Sequence, residues 1–509
     1  MNFRKPFCLS ALLAPVMTLA AQTEKPNIIF ILCDDMGYGD LHCYGQPYIS
    51  TPNIDKLASE GMRFTQAYSG SPVSAPSRCS LMTGQHTGHC LVRGNKEYWE
   101  DSGTVMYGQN ADYKIVGQEP YDPNVPILPE VMKRHGYTTA LFGKWAGGYE
   151  GSVSTPDKRG FDEFYGYICQ YQAHLYFPNF LNRYSKQLGD TGVVRVVLED
   201  NIKYPMFGSE YSKRTQYSAD LIHQAAMKWI DNQTNDKPFF GMFTYTLPHA
   251  ELRQPEDSIL TGYERKFAND KTFAGNKGSR YNPVVNTHAN FAAMITRLDK
   301  YVGEIEAELQ KKGLDKNTII IFASDNGPHE EGGADPKFFG RDGKLRGLKR
   351  QCYEGGIRIP FIVKWPDKVK AGTVNSHQLA FYDVMPTLKE LMKEKSEGQR
   401  TKNFNGAKTT GNTVMADGLS FLPTLLGKKG QHEHKFLYWE FHETDQIGVR
   451  TGDWKMVVIK GVPHLYNLRN DIHEDHDMAT KYPLQVKKMI DVIKQQHIDS
   501  PDFKITLPY

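Results

Sequence analysis

Four short apolar runs, rich in β-branched residues, each break off into polar side chains. They are "NIIFILCDD" ending at Asp34 and Asp35, "TTALFGKW" at Lys144, "FFGMFTYTLPH" at His249, and "NTIIIFASDN" at Asp325 and Asn326. Each has the length and composition of a buried strand. Between them lie punctuated helix patterns: "TPNIDKLASEG" from Thr51 and Pro52 to Gly61, "LPEVMKRHG" to Gly136, and "ANFAAMITRLDKYVGEIEAELQKKG" to Gly313. Strands alternating with helices predict an α/β fold: a large mixed, mainly parallel sheet sandwiched by helices. Ligands of such sheets bind beyond the carboxyl ends of the strands, where all four polar clusters fall. Any one cluster alone reads equally well as a strand cap or turn, but four of complementary chemistry favour one site.

The chain has 509 residues, and its 61 Lys+Arg nearly balance its 58 Asp+Glu. That length predicts two unequal domains, and no basic block marks a nucleic-acid footprint. Arg4 and Lys5, an apolar run to Ala21 and the polar residues after it have the order of a secretory signal peptide over 1–21. The run is short for a bilayer and contains Pro15, so no membrane span is expected. Export predicts a periplasmic protein, with the extracellular space as the alternative. The remaining cysteines, Cys33, Cys43, Cys79, Cys90, Cys169 and Cys352, have no CxxC or zinc-like spacing and are expected to be mostly free, packed thiols.

Asp34, Asp35, Asp325 and Asn326 supply hard oxygen ligands suited to Ca²⁺ or Mg²⁺ rather than zinc. Lys144 and Lys349 add positive charge, and His249 can donate a proton near neutral pH. This set suits a compact oxyanion ester, phosphate or sulfate. In "SAPSR" the helix start at Pro76 and Ser77 sets Ser74 at the positive end of a helix, with Arg78 able to fix ligand or nucleophile. The alternative is that Ser74 only caps the helix.

Along nearly all of the mature chain the sequence resembles the type I sulfatases of the alkaline-phosphatase-like superfamily. "SAPSRCSLMTG", Ser74–Gly84, is similar to the family signature in its serine-type bacterial form. "PNIIFILCDDMGYGD", "GKW", "TLPH", "SDNG", "LKRQCYEGGIRIP" and "LYNLRNDIHEDHDMA" resemble further family segments in order and spacing. The resemblance implies that a radical SAM maturase, binding transiently, oxidises Ser74 to Cα-formylglycine (3-oxoalanine). It implies one cation, Ca²⁺ ahead of Mg²⁺, on Asp34, Asp35, Asp325, Asn326 and modified Ser74. Arg78, Lys144, His249 and Lys349 would complete the catalytic set, and the reaction would pass through a covalent enzyme-sulfate. Many members read G-K-W-H, with the histidine as base for the second step; this chain has Ala146 there. His86, His89, His174 and a metal-bound water are the candidates to replace it.

A sulfated carbohydrate is the expected substrate, and the aromatic segment Tyr167–Tyr184, with Gln170 and His174, would line a sugar subsite unless its rings pack into the core. A phosphomonoesterase or phosphodiesterase of the same superfamily is an alternative, though no second Asp/His metal cluster stands out in the sequence. A non-catalytic protein that binds sulfated glycans is another. The catalytic domain is expected over 22–428, with a smaller C-terminal α+β domain over 429–509 carrying a small antiparallel sheet and a terminal helix near "LQVKKMIDVIKQQH".

Overall fold

A computed structural model describes residues 25–99, 115–275, 281–394 and 417–509; the expected signal peptide lies outside the described residues. Ten strands make one mixed sheet. Its centre runs, in spatial order, Thr318–Ser324, Asn27–Cys33, Phe239–Thr244, Thr138–Lys144 and Glu163–Tyr167, all parallel. Antiparallel strands Phe361–Lys364 and Phe180–Ser185 flank this centre. The four runs legible in the sequence are thus neighbours, and register aligns their ends: Cys33 pairs with Ser324, Leu32 with Thr244, and Thr244 with Gly143.

The Asn27–Cys33 strand is buried along its whole length because both faces are covered. Ile29, Ile31 and Cys33 share a core with helices Ser218–Asp231 and Thr287–Lys311. Ile28, Phe30 and Leu32 face the other way, into a core with helices Ser74–Thr83, Leu128–Arg134 and Val384–Leu391. The helix stops follow the local signals. Pro52 is the first residue of helix Pro52–Ser59, and after Lys311 the chain turns through Gly313 at φ 66°.

Strands Leu437–Phe441, Gln446–Thr451, Trp454–Ile459 and Val462–Asn467 form a separate antiparallel sheet. Met489, Ile490 and Ile493 of the terminal helix Pro483–Gln496 cover one face by packing on Ile447, Val449, Met456, Val458 and Leu465. The other face presents Leu437, Trp439, Phe441 and Val457 to Tyr68, Val73 and Tyr382 of the large sheet's layer. The C-terminal sheet therefore presses on the residue before Ser74. All six cysteines in the described residues are free.

Lys144 is reached through a point of close backbone contact. Gly143 has φ 123°, and a Cβ there would collide with the carbonyl oxygen of Thr244 on the next strand. Gly151, at φ 85°, has open space around the same atom. Gly143→Ala is expected to lower stability by about 3 kcal/mol or more, against about 1 kcal/mol for Gly151→Ala, in chemical denaturation. Equal losses at both sites would show that the contact is slack.

Candidate active site

Helix Ser74–Thr83 is buried at every residue, and Val73, not Ser74, is its N-cap. Ser74 is the first helical residue, and its side chain turns to the strand ends. Its Oγ donates to Asp34 Oδ1 at 2.7 Å and lies 3.4 Å from Asn326 Oδ1. One turn on, Arg78 sends Nε and Nη2 to Asp325 Oδ2 at 3.0 and 2.9 Å, and Nη1 to the Lys144 carbonyl at 3.1 Å. The helix thus aims its first residue at one strand end and ties two others together.

Lys144 Nζ meets Asp34 Oδ2 at 2.6 Å, and Lys349 Nζ meets Asp35 Oδ2 at 2.8 Å. Asn326 Nδ2 donates to Asp35 Oδ1 at 2.6 Å, and the Asp35 backbone N–H to Asp325 Oδ1 at 3.1 Å. Asp35 holds a left-handed turn, φ 61°, that carries its carboxylate around to this contact. Burial would raise the Asp34 carboxyl, but Lys144, His249, Arg78 and Lys349 together hold it well below the usual range. Burial, then the charge of Asp34, pushes Asp325 up to about 7 despite Arg78.

His249 has a partner at each ring nitrogen. Nδ1 bonds the Ala250 carbonyl, which leaves Nε2 as the acceptor for Lys349 Nζ at 3.0 Å. Burial, then Lys349, lowers the His249 pKa. The imidazole is stacked between His174, at 4.3 Å and 12°, and His329, at 5.5 Å and 17°. His174 Nδ1 is buried with no hydrogen-bond partner, and burial, then His249, holds its pKa well below the ordinary value.

Two of the base candidates are removed by this geometry. His86 and His89 follow Gly84, at the far end of a helix whose first residue is Ser74; its ten residues span about 14 Å. There His89 Nδ1 meets Asp417 Oδ1 at 2.8 Å and His86 Nε2 meets Gln496 Oε1 at 3.2 Å. His86 fastens the helix end to the C-terminal helix and His89 fastens it to Asp417, and of the three histidines only His174 stands beside His249. Gln170 donates to Asn95 Oδ1 at 3.0 Å, while Tyr167, Tyr176 and Phe177 of the aromatic segment are core residues.

Glu331 and Arg350 join the site without any local sequence pattern that marks them. Glu331 Oε2 takes the Tyr281 hydroxyl at 2.7 Å and lies 3.4 Å from Lys349 Nζ, while Oε1 meets Arg350 at 2.5 Å. No strand end announces Glu331; only the fold brings the loop after Asn326 back over Lys349.

The residues fit one hard cation. Three carboxylates, the Asn326 amide oxygen and Ser74 Oγ converge in a buried space, an all-oxygen donor set of the kind such an ion takes. Asp35, His329 and Glu331 also approach within range of a second ion. Both His329 nitrogens are used, however, toward Pro248 O at 3.1 Å and Glu331 N–H at 3.1 Å. The Lys349 ammonium already lies between Asp35 and Glu331. A lysine thus occupies the space between two of the three groups that a second ion would need.

The Sulfatase family profile matches residues 26–394, more than two thirds of the chain. An N-acetylgalactosamine-6-sulfatase from Rattus norvegicus is 31% identical over 424 residues, covering 82% of this chain and 69% of that protein. An N-acetylgalactosamine-6-O-sulfatase from Bacteroides thetaiotaomicron is 28% identical over 522 residues and is covered, like this chain, to 93%. Among solved structures, Ps i-CgsB in complex with k-i-k-neocarrahexaose superposes with a TM-score of 0.69 at 26% identity, over 95% of both chains. The phosphonate monoester hydrolase of Agrobacterium radiobacter shares the fold, at 20% identity and a TM-score of 0.60 over 93% of this chain and 96% of that one. The chain belongs to the sulfatase family, and its chemistry is the hydrolysis of sulfate esters.

Proposed function

We propose that this protein removes sulfate from a carbohydrate, with Ser74 as the precursor of the nucleophile. The observation that carries the reading is Ser74 Oγ itself, turned away from helix capping and held 2.7 Å from Asp34 among three buried cationic side chains. A maturase of the radical SAM type would oxidise Ser74, and Asp34, Asp35, Asp325 and Asn326 would hold Ca²⁺ with the modified residue. When in place, formylglycine supplies an aldehyde hydrate as nucleophile, and the cation offsets charge on the sulfate oxygens.

The chain's own residues supply the rest. Lys144 and Lys349 point ammonium groups toward the bound sulfate, a charge-assisted cradle in a dry site. Arg78 bonds both Asp325 and the Lys144 carbonyl and so ties those two strand ends together. The Lys349–His249 pair shares a proton at Nε2 and delivers it to the leaving sugar oxygen. His174 Nδ1, free of protein partners, is the base in place of the histidine absent at Ala146. Glu331 and Arg350 offer a carboxylate and a guanidinium beside this cradle for the hydroxyls of the sugar. The signal peptide over 1–21 implies export, most simply to the periplasm, and the catalytic unit would end near residue 428.

Both relatives named above are N-acetylgalactosamine 6-sulfatases, which makes the 6-sulfate of N-acetylgalactosamine the first substrate to test. The matured enzyme is expected to release inorganic sulfate from it, and phosphate from the matching phosphate ester far more slowly. Under the same assay His174→Ala should lower kcat by about 100-fold, and His89→Ala should stay within about twofold. Release of phosphate at the higher rate, or no sulfate from any positionally defined sulfated sugar, overturns the reading.

Asp325→Ala is expected to abolish calcium binding in isothermal titration while the far-ultraviolet circular dichroism stays unchanged. Unaltered calcium affinity in the folded variant would remove Asp325 from the cation site.

A further inference from the structure

The segment that carries Lys349 is held from two sides. On the catalytic side, the Lys349 N–H bonds Pro328 O at 2.8 Å and the Arg350 N–H bonds Pro72 O at 2.8 Å, two residues before Ser74. Just beyond, Gly327 N–H donates to Gly356 O at 2.9 Å, and Gly327 packs so closely on Gly355 that a side chain at Gly327 would strike its carbonyl. Residues 349–356 thus touch the neighbours of both Ser74 and Asn326.

On the other side the same segment is gripped by the C-terminal sheet and the loop that follows its last strand. Glu474, in "LYNLRNDIHEDHDMA", is fully buried and accepts the Glu354 N–H on Oε2 at 2.8 Å. Lys455, also fully buried, bonds Glu354 Oε1 at 3.0 Å and stands 3.7 Å from Glu474 Oε1. Tyr68 OH donates to Glu354 Oε2 at 2.7 Å, and Gln446 Oε1 takes the Cys352 N–H at 2.9 Å. The Arg350 carbonyl accepts the Thr444 hydroxyl at 2.9 Å. Arg358 and Arg450 also approach Glu354 Oε2, at 3.4 and 3.8 Å, and so many buried charges are a costly way to hold a sheet against a domain, which apolar packing does more cheaply. Their return is direction: a carboxylate aimed at one N–H fixes a backbone position that apolar contacts leave free to slide.

We infer that Glu474 is a positioning residue for the sulfate-binding lysine, acting through the Glu354 N–H and the 349–356 segment, so that the C-terminal sheet is part of the catalytic apparatus. This rests on the assignment of Lys349 to sulfate. Glu474→Ala removes the anchor, and Glu474→Gln keeps a carbonyl oxygen for the Glu354 N–H while removing the charge. Glu474 and Glu354 are both fully buried.

The test is binding of inorganic sulfate to the full-length protein by calorimetry, together with turnover, in a double-mutant cycle with Lys349→Ala. Glu474→Ala should weaken sulfate binding by about tenfold, and Glu474→Gln should recover most of it. In the Lys349→Ala background, Glu474→Ala should have no further effect on either readout, because the two changes remove one interaction. A purely structural role predicts losses that add in both backgrounds, and that result overturns the inference. So does unchanged sulfate affinity in Glu474→Ala when the unaltered protein binds sulfate and Lys349→Ala does not. Sulfate affinity that survives Lys349→Ala undiminished instead refutes the assignment of Lys349, and the inference falls with it.

Discussion

The structure depends on a balance of buried charge. Asp34, Asp35 and Asp325 meet at the ends of adjacent parallel strands, with Arg78, Lys144 and Lys349 set against them. Removing one partner from such a pair costs about 3–5 kcal/mol, because the other is left ionised in a dry place. The arrangement persists only because a fully packed sheet and a fully buried helix deliver each group to one place. Asp325, buried and beside Asp34, is pushed up to about 7 despite Arg78.

Each layer of the fold contributes one part of that delivery. Register across the central strands sets the aspartates and Lys144 at one level. Helix Ser74–Thr83 points Ser74 inward and returns Arg78 to the strand ends. The loop after Asn326 brings Glu331 over Lys349, whose ammonium lies between Asp35 and Glu331.

What was legible in the sequence follows from periodicity and local chemistry. The four strands, their polar ends and the helix starts are local patterns, and the cluster they predict at Asp34, Asp35, Lys144, His249, Asp325 and Asn326 does assemble. The roles of Gln170, His86 and His89 were not legible, because proximity in sequence to a motif says nothing about the end of a helix on which a side chain lies. His86 and His89 follow the nucleophile motif closely, yet ten buried helical residues carry them to the far side of the layer. Conversely, His174 lies in an aromatic segment far from any motif, and only the stacking on His249 reveals its place. Glu331 and Glu474 were invisible for the same reason: each acts through a loop whose path is set by tertiary packing. The core positions of Tyr167, Tyr176 and Phe177 show the simplest use of aromatics, burial, prevailing over a sugar-stacking face.

The claim at the centre of this account is that Ser74 is not a cap but a chemical group under preparation. Mass spectrometry of the peptide containing Ser74, from protein produced with a serine-competent maturase, tests it most directly. The account predicts loss of two hydrogens at Ser74, reactivity of that residue with an aldehyde-specific hydrazide, and sulfate release in proportion to the modified fraction. Full turnover by protein whose Ser74 is entirely unmodified would contradict it.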